Sequence, residues 1–362
     1  MSNVLNARPS GIARYVTGLL GGLQALRGDD TPLELVQLWR LSRWRRRHLL
    51  RTGVGLAQQA WVDGIWPLQR RYDVVHATAH RLPRWDGCAK VVTVHDVYAA
   101  VGINYHAPVE RERQLARYRE LAARADRVIC VSENTRRDFL RHFDFDPART
   151  HVIHHGIDTE LQPRPPSVLA SIRARYAVPD PFLLVFGSRA ENKNIPRLLQ
   201  AYARSGVAAD YRLMVAGPMR DADRQRFLED VAALGLSGRV LVPGYVPDAD
   251  VPLLYAAASA FLFPSTYEGF GLPILEAMAC GTPVLTSTGG ACPEVAGGHA
   301  VLVDPLCVDD IARGIREVLA MPQARREAAL AYAQTKTWIE TARQTLAVYR
   351  LAIADRGSAR RP

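Results

Sequence analysis

The chain has 362 residues, of which 48% are hydrophobic and 23% charged, and a net charge of +10. That length exceeds what one hydrophobic core normally serves, so two domains are expected, and the balance is that of a globular and not a disordered chain. The positive excess suits an anionic partner: nucleotide phosphates, a membrane surface or nucleic acid. The five cysteines (Cys88, Cys130, Cys280, Cys292, Cys307) are scattered, with no Cys-x-x-Cys. They suggest neither a disulfide framework nor a zinc site, and point to a reducing compartment. The start of the chain lacks the charged and apolar regions of a signal peptide, and no run approaches the roughly 18 apolar residues of a membrane span. A cytoplasmic location is expected.

In chain order, Val4 and Leu5 are a very short apolar start, residues 8–11 a turn, and residues 12–26 a helical pattern. Residues 33–39 read as a strand. Residues 40–51 then carry Arg43, Trp44, Arg45, Arg46, Arg47 and His48 among leucines. Such a run suits either an anionic membrane surface or a solvated helix face. Residues 72–76 and 90–94 are buried-strand patterns, and the second runs into His95-Asp96. The C-terminal end of a parallel strand is where α/β sheets bind ligands, although a single histidine is more often structural. Residues 105–125 form a charged helical region and 127–131 a strand, and Ser132 caps the next helix. Residues 151–157 read as a strand ending in glycine. His151, His154 and His155 have no carboxylate or cysteine set at ligand spacing beside them, so no metal site is assigned. Pro163, Pro165 and Pro166 mark a linker, to which a short helix over 169–176 belongs.

A second sheet opens with residues 182–186, followed by Gly187, Arg189 and Lys193. A strand, a glycine and cations before a helix suit a diphosphate. Strands follow at 212–216 and 240–242, the latter leading into Gly244-Tyr245-Val246. Asp221-Ala222-Asp223 and Asp248-Ala249-Asp250 both spell Asp-x-Asp, a pattern able to hold a divalent cation. Each precedes a helical pattern, where acidic residues cap the helix and answer its dipole, and capping is the expectation.

The stretch over 261–282 reads FLFPSTYEGFGLPILEAMACGT. Residues 260–263 fit a buried parallel strand, stopped by Pro264 and Ser265. A glycine-punctuated loop over 267–271 leads to a helix over 272–280, ended by Gly281 and Pro283. A strand-end loop running into a helix N-terminus favours a phosphate. Glu268 and Glu276 frame it. A carboxylate accepts two hydroxyl hydrogen bonds, so the pair suggests a sugar and a ribose; alone, Glu276 would read as a solvated helix face. Beyond it come strands at 283–286 and 300–304, a Gly289-Gly290 turn, helices at 308–321 and 324–350, and an arginine-rich tail.

EGFGLPILEAMACGTPV resembles the donor-site motif of retaining glycosyltransferases of the GT-B fold, family 4, with Glu268 and Glu276 on its two glutamates. Other segments resemble the family too: Gly11-Ile-Ala-Arg14-Tyr15, VVTVHDV around His95, VSENTRRDF, HVIHHGI, the loop at Gly244, Tyr245 and Val246, and residues 338–349. The Gly11 segment reads equally as a turn opening a helix. The family usually has Arg-Lys-Asn where this chain has Asn192-Lys193-Asn194; Lys193 matches, and Arg189 is the candidate for the second cation.

The resemblance implies two doubly wound Rossmann-like α/β domains facing across a cleft. Residues 1–165 would form the acceptor-side domain and 166–337 the nucleotide-sugar domain, with a helix over about 338–355 packing back on the first. It implies transfer, with retention, of a sugar from a nucleotide diphosphate sugar, which is a substrate and not a cofactor. The catalytic set is Glu268, His95, Lys193 and Arg189. The donor-binding set is Gly11, Gly187, Gly244, Tyr245, Val246, Phe270, Gly271, Leu272 and Glu276, with no metal. Glu276 would hold the ribose, Glu268 the transferred sugar, and His95 would orient that sugar. Likeness to bacterial mannosyltransferases of surface-polysaccharide assembly favours GDP-mannose and a glycan or lipid-linked glycan acceptor, at or near the inner membrane face. Nucleic acid is not an expected partner. A UDP-sugar enzyme of the same fold and a non-catalytic nucleotide-sugar-binding protein are the alternatives.

Overall fold

Short apolar runs without alternation form parallel strands when helices cover both faces of the sheet. The computed structural model describes residues 11–28, 33–35, 37–40, 59–62, 72–79, 82, 87–103, 107–187 and 190–358. They fall into two compact units. One lies within Met1–Val101, Tyr105–Gly156 and Thr337–Pro362, the other within Gly102–Asn104 and Ile157–Lys336.

The first unit opens with helix α1 (Gly11–Ala25). Strands β1 (Gln37–Arg40) and β2 (Gln59–Val62) pair in parallel as a sheet of their own. The strand expected over 33–39 thus forms late, at its C-terminal end. A four-stranded parallel sheet follows, built from β3 (Val74–Ala77) and β4 (Ala89–Val94) and then, after helices α2 (Tyr98–Val101) and α3 (Pro108–Arg124), β5 (Arg127–Cys130). Helix α4 (Glu133–His142) and strand β6 (Thr150–Val152) complete it in the order β3-β4-β5-β6. All six residues of β4 are buried, as a strand covered on both faces requires. Ser132 caps α4: its hydroxyl accepts the Thr135 N–H at 3.0 Å, an interaction worth about 1 kcal/mol.

The second unit begins with α5 (Pro166–Arg175), which starts inside the proline-rich linker. Proline is tolerated there because the first-turn N–H it lacks has no partner within a helix. The sheet is β7 (Phe182–Phe186), α6 (Ile195–Arg204), β8 (Arg212–Ala216), α7 (Asp221–Ala233), β9 (Val240–Gly244), α8 (Val251–Ala257) and β10 (Ala260–Phe263). It continues through α9 (Leu272–Ala279), β11 (Val284–Ser287), α10 (Cys292–Ala296), β12 (Val301–Val303), α11 (Val308–Leu319) and α12 (Gln323–Gln334). The six strands are parallel in the order β12-β11-β10-β7-β8-β9. Residues of α6, α7 and α11 build the large apolar core with the strands, including Leu198, Tyr202, Ile311 and Ile315. Elsewhere in this unit, Tyr255 of α8 sets its ring edge-on to Phe186 and Phe261, with centroids 5.2 and 5.0 Å apart.

The helical region expected over 324–350 is two helices, α12 and then α13 (Trp338–Ser358). They part at 335–337, where the Thr337 hydroxyl accepts the Glu340 N–H at 3.2 Å and the Lys336 carbonyl accepts the Ile157 N–H at 3.0 Å. Helix α13 belongs to the first unit and packs on α1. Close approach is possible because α1 presents glycines there. A Cβ on Gly18 would stand 2.1 Å from the Trp338 indole, and one on Gly22 would stand 2.3 Å from the Trp338 carbonyl oxygen.

Candidate functional site

The strand order of the second unit reverses between β7 and β10, since the chain winds from β7 through β8 to β9 and then returns to the other side of β7. Open parallel sheets bind ligands outside the carboxyl ends of the strands at such a reversal. The loops after β7 and β10 meet there. The Thr266 N–H donates to the Asn192 carbonyl at 2.8 Å, and Asn194 Nδ2 donates to the carbonyls of Pro264 (3.0 Å) and Pro305 (2.6 Å). A short 3-10 turn, Glu191–Lys193, carries the first loop to the start of α6, with Asn194 in the left-handed region at φ 59°.

Lys193 and Glu268 come together here. Lys193 Nζ lies 2.8 Å from Glu268 Oε1 and 4.6 Å from the centroid of the Phe263 ring. Asn192 Nδ2 donates to the same Oε1 at 3.1 Å and to the Tyr267 carbonyl at 3.0 Å. Glu268 is buried, and Lys193 and Asn192 both address its Oε1. The Gly289-Gly290 turn lies against the back of this loop. A Cβ on Gly289 would stand 2.3 Å from the Thr266 carbonyl oxygen, and one on Gly290 would stand 2.6 Å from the Glu268 backbone N and O. The Ala291 N–H donates to the Glu268 carbonyl at 3.0 Å. The sequence shows that pair only as a turn; two adjacent glycines directly after a buried strand are the one signal of close backbone approach.

Glu276 lies in the middle of α9, and a solvated face is not what the structure gives it: the residue is 3% exposed. Its Oε2 accepts the Tyr255 hydroxyl at 3.1 Å. That hydroxyl belongs to α8, which packs beside α9. Gly271 precedes α9 with φ 99°, and no side chain caps that helix. Phe270 is buried and Leu272 half-buried. Two thiols flank the carboxylates. Burial pushes Cys292 up to about 12, with Glu268 adding to the effect, and Cys280 likewise to about 12, with Glu276 adding. Both are protonated at neutral pH and are not thiolate nucleophiles.

The remaining candidates are spread more widely. The Gly187 N–H donates to the Ala216 carbonyl at 2.8 Å, so it extends the sheet and is not offered to a phosphate. Gly244 closes β9 with φ 81°, Tyr245 is 45% exposed and Val246 is buried. Arg189 and the Arg43 to Arg47 run lie outside the described residues. The two Asp-x-Asp strings part company with the capping expectation. Asp221 and Asp223 do sit in the first turn of α7, where they answer its dipole, but no side chain caps that helix. Asp250 precedes α8 with φ −90° and ψ −19°, helical values and not those of a capping residue, and its side chain does not cap. Its carboxylate accepts Arg175 Nη1 at 2.6 Å and the Tyr176 hydroxyl at 2.7 Å, tying α5 to α8. Among the described residues, no group of three or more His, Cys, Asp or Glu is arranged to hold a metal.

His95 belongs to the first unit, at the end of β4, and Gly11 is the exposed first residue of α1. His95 Nε2 lies 3.0 Å from the Thr78 carbonyl oxygen; a carbonyl only accepts, so Nε2 carries the proton. The Tyr15 ring meets His95 edge-on at 4.8 Å and His155 at 4.9 Å. Behind it runs a polar chain that the sequence did not reveal. Tyr15 bonds Thr93 (2.8 Å), Thr93 bonds His76 Nε2 (2.7 Å), and His76 Nδ1 bonds Tyr349 of α13 (2.6 Å). Burial lowers His76 to about 3 and His155 well below the ordinary histidine value, in both cases with His95 adding to the effect.

Comparison with known proteins gives these arrangements a context. Residues 171–336 match the family described as Glycosyl transferases group 1, and residues 9–161 match Glycosyltransferase Family 4. The chain is 34% identical to O-antigen chain mannosyltransferase B of Escherichia coli over 75% of this chain and 71% of the relative. It is 33% identical to MMP alpha-(1->4)-mannosyltransferase of Mycolicibacterium hassiacum over 68% of this chain and 57% of the relative. Among solved structures, WaaG, a glycosyltransferase involved in lipopolysaccharide biosynthesis, matches with a TM-score of 0.65 at 19% identity, covering 94% of this chain and 96% of that one. HepE from Anabaena in complex with UDP and glucose matches with a TM-score of 0.66 at 22% identity, over 76% of this chain and 77% of that one. These likenesses give the chain the GT-B fold.

Proposed function

This chain belongs to the group 1 glycosyl transferases, and from that premise we propose that it transfers mannose from GDP-mannose, with retention, to a hydroxyl of a lipid-linked glycan acceptor in surface-polysaccharide assembly. The observation that carries the transferase chemistry is the meeting of Lys193 with Glu268 at the strand-order reversal. The names of the mannosyltransferase relatives support the choice of sugar. In this reading the leaving group is a nucleoside diphosphate, and catalysis consists chiefly in stabilising the charge that builds on its phosphates. Lys193, Arg189 and the backbone N–H groups around Phe270 to Leu272 do this. Glu276 accepts hydrogen bonds from the ribose hydroxyls and Glu268 from the sugar, whose ring gains positive charge as the bond breaks. His95 orients the sugar. The acceptor hydroxyl attacks from the face that the diphosphate leaves, and the departing phosphate oxygen takes its proton.

Metal takes no part in this scheme, so turnover should persist in EDTA; loss on chelation with recovery on adding magnesium or manganese would overturn that element. The Arg43 to Arg47 run contributes affinity for an anionic membrane face, and binding to phosphatidylglycerol vesicles should weaken as salt rises. Unaltered vesicle binding after Arg-to-Gln changes there would leave the run as a solvated face. Among the described residues, no helix is long and apolar enough to cross a membrane. The deciding experiment is thermal shift with GDP- and UDP-sugars, followed by nucleoside diphosphate release with a lipid-linked acceptor. Stabilisation by UDP-sugars and not by GDP-mannose would overturn the donor. Binding without release under any donor and acceptor would make this a nucleotide-sugar-binding protein.

A further inference from the structure

Asn192 stands where the family usually has an arginine, yet its side chain faces inward and the residue is only 3% exposed. Its contacts fix the amide's orientation. The atoms it meets, the Tyr267 carbonyl oxygen at 3.0 Å and Glu268 Oε1 at 3.1 Å, only accept hydrogen bonds, so the NH2 group and not the amide oxygen must face them. One planar amide thus ties two consecutive residues of the loop after β10. Its own backbone carbonyl takes the Thr266 N–H at 2.8 Å, so Asn192 grips three residues in a row. Lys193, the next residue, approaches the same carboxylate oxygen at 2.8 Å. The division of labour is visible in the charges: the lysine brings a cation, while the asparagine orients without adding one.

We propose that Asn192 is a positioning residue for Glu268, holding its carboxylate and loop in place for the transferred sugar, and that it does not replace the missing phosphate-binding cation. This rests on the reading of Glu268 given above. An arginine at 192 would need room for a longer side chain in an enclosed space and would set a second cation against Glu268. An asparagine supplies two neutral donors at fixed geometry. Removing them leaves a buried carbonyl and a buried carboxylate oxygen each short of a donor, which lets the loop shift.

The test is a double-mutant cycle of Asn192→Ala and Glu268→Gln, read as kcat, donor KM and affinity for free GDP, with thermal melts confirming folding. Asn192→Ala should lower kcat roughly ten- to a hundredfold while changing free GDP affinity by less than about twofold. In the Glu268→Gln background the same change should cost less than about threefold, because residues acting through one another are not additive. Asn192→Ser, which keeps one donor in less volume, should fall between and carries the test if the alanine variant does not fold. Weakened GDP binding with unchanged kcat would make Asn192 a phosphate-side residue and overturn the proposal. So would an equal kcat loss in both backgrounds. If Glu268→Gln lowers kcat and Asn192→Ala does not, the proposal alone falls; if Glu268→Gln has no effect, the reading of Glu268 falls with it.

Discussion

Both units place polar residues at the carboxyl ends of parallel strands, but they treat charge in opposite ways. In the second unit the loops after β7 and β10 converge, and a carboxylate and an ammonium meet at 2.8 Å, with an amide donating to the same carboxylate. In the first unit the residues at and beside the end of β4 are linked through uncharged groups: Tyr15, Thr93, His76 and Tyr349 in one hydrogen-bonded chain, with His95 edge-on to Tyr15. Burial without a counter-charge disfavours the charged form, and His76 and His155 are both pushed down by it. Glu268, by contrast, is buried with a counter-charge and a further donor beside it, since Lys193 and Asn192 both approach its Oε1. The lesson is that enclosure alone does not make a charged site; a strand-order reversal brings two loops close enough for each to answer the other's charge.

The sharpest way to break this contrast is Glu268→Gln. If charge at the reversal serves the reaction, turnover falls about a hundred- to a thousandfold while donor KM moves little, as measured by initial rates; unchanged turnover would remove the distinction between the units. Next in size is Glu276→Ala. A ribose contact is the same before and during reaction, so donor KM should rise roughly ten- to a hundredfold with kcat nearly intact, corresponding to about 1.5–3 kcal/mol for a hydrogen bond to a charged group. Calorimetry with free GDP separates the two carboxylates: Glu276→Ala should weaken binding and Glu268→Gln should not, and the reverse result would exchange their roles.

Gly290→Ala tests the backing of the loop. Gly290 has φ 57°, and the added Cβ would stand 2.6 Å from the Glu268 backbone. Chemical denaturation should show a loss of about 1–3 kcal/mol, accompanied by reduced kcat; a variant as stable and active as the parent would show that the loop is not held from that side. The smallest effect at neutral pH is that of His76. Its folded value, about 3, lies below the ordinary 6.5, so the unfolded chain binds the proton first. The neutral ring's contribution is fully present above about pH 6.5 and declines as pH falls from there toward 3. His76→Gln should show a shallower fall of stability across that window, and an identical slope would mean that His76 is already charged in the folded protein.

Much of the second unit is legible locally. β7 (Phe182–Phe186), β8 (Arg212–Ala216) and β10 (Ala260–Phe263) occupy the residues their apolar runs indicate, because a strand buried on both faces needs only such a run bounded by breakers. Ser132 announces its cap in the same way. Asp250 does not: its sequence neighbours indicate a cap, while its carboxylate binds Arg175 and Tyr176, far away in the chain. The division of residues 324–350 into two helices is partly local, since the Thr337 hydroxyl caps α13 through the Glu340 N–H, and partly tertiary, through the Ile157 to Lys336 hydrogen bond.

By itself, the sequence determined the succession of strands and helices, the paired spacing of Glu268 and Glu276 and the cation at Lys193, since these depend on residue type, period and separation along one stretch of chain; the two-domain fold followed from the family resemblance those motifs carry. Only the tertiary structure decided that Asn192 faces the Glu268 loop, that Gly289 and Gly290 support it, that Tyr255 meets Glu276, and that Tyr15 is tied through Thr93 and His76 to Tyr349. Those partners lie 17 to 273 residues apart in sequence, and their meeting is set by strand order and helix packing. Hydrogen-bond direction and burial are properties of that meeting and are not carried by either residue alone.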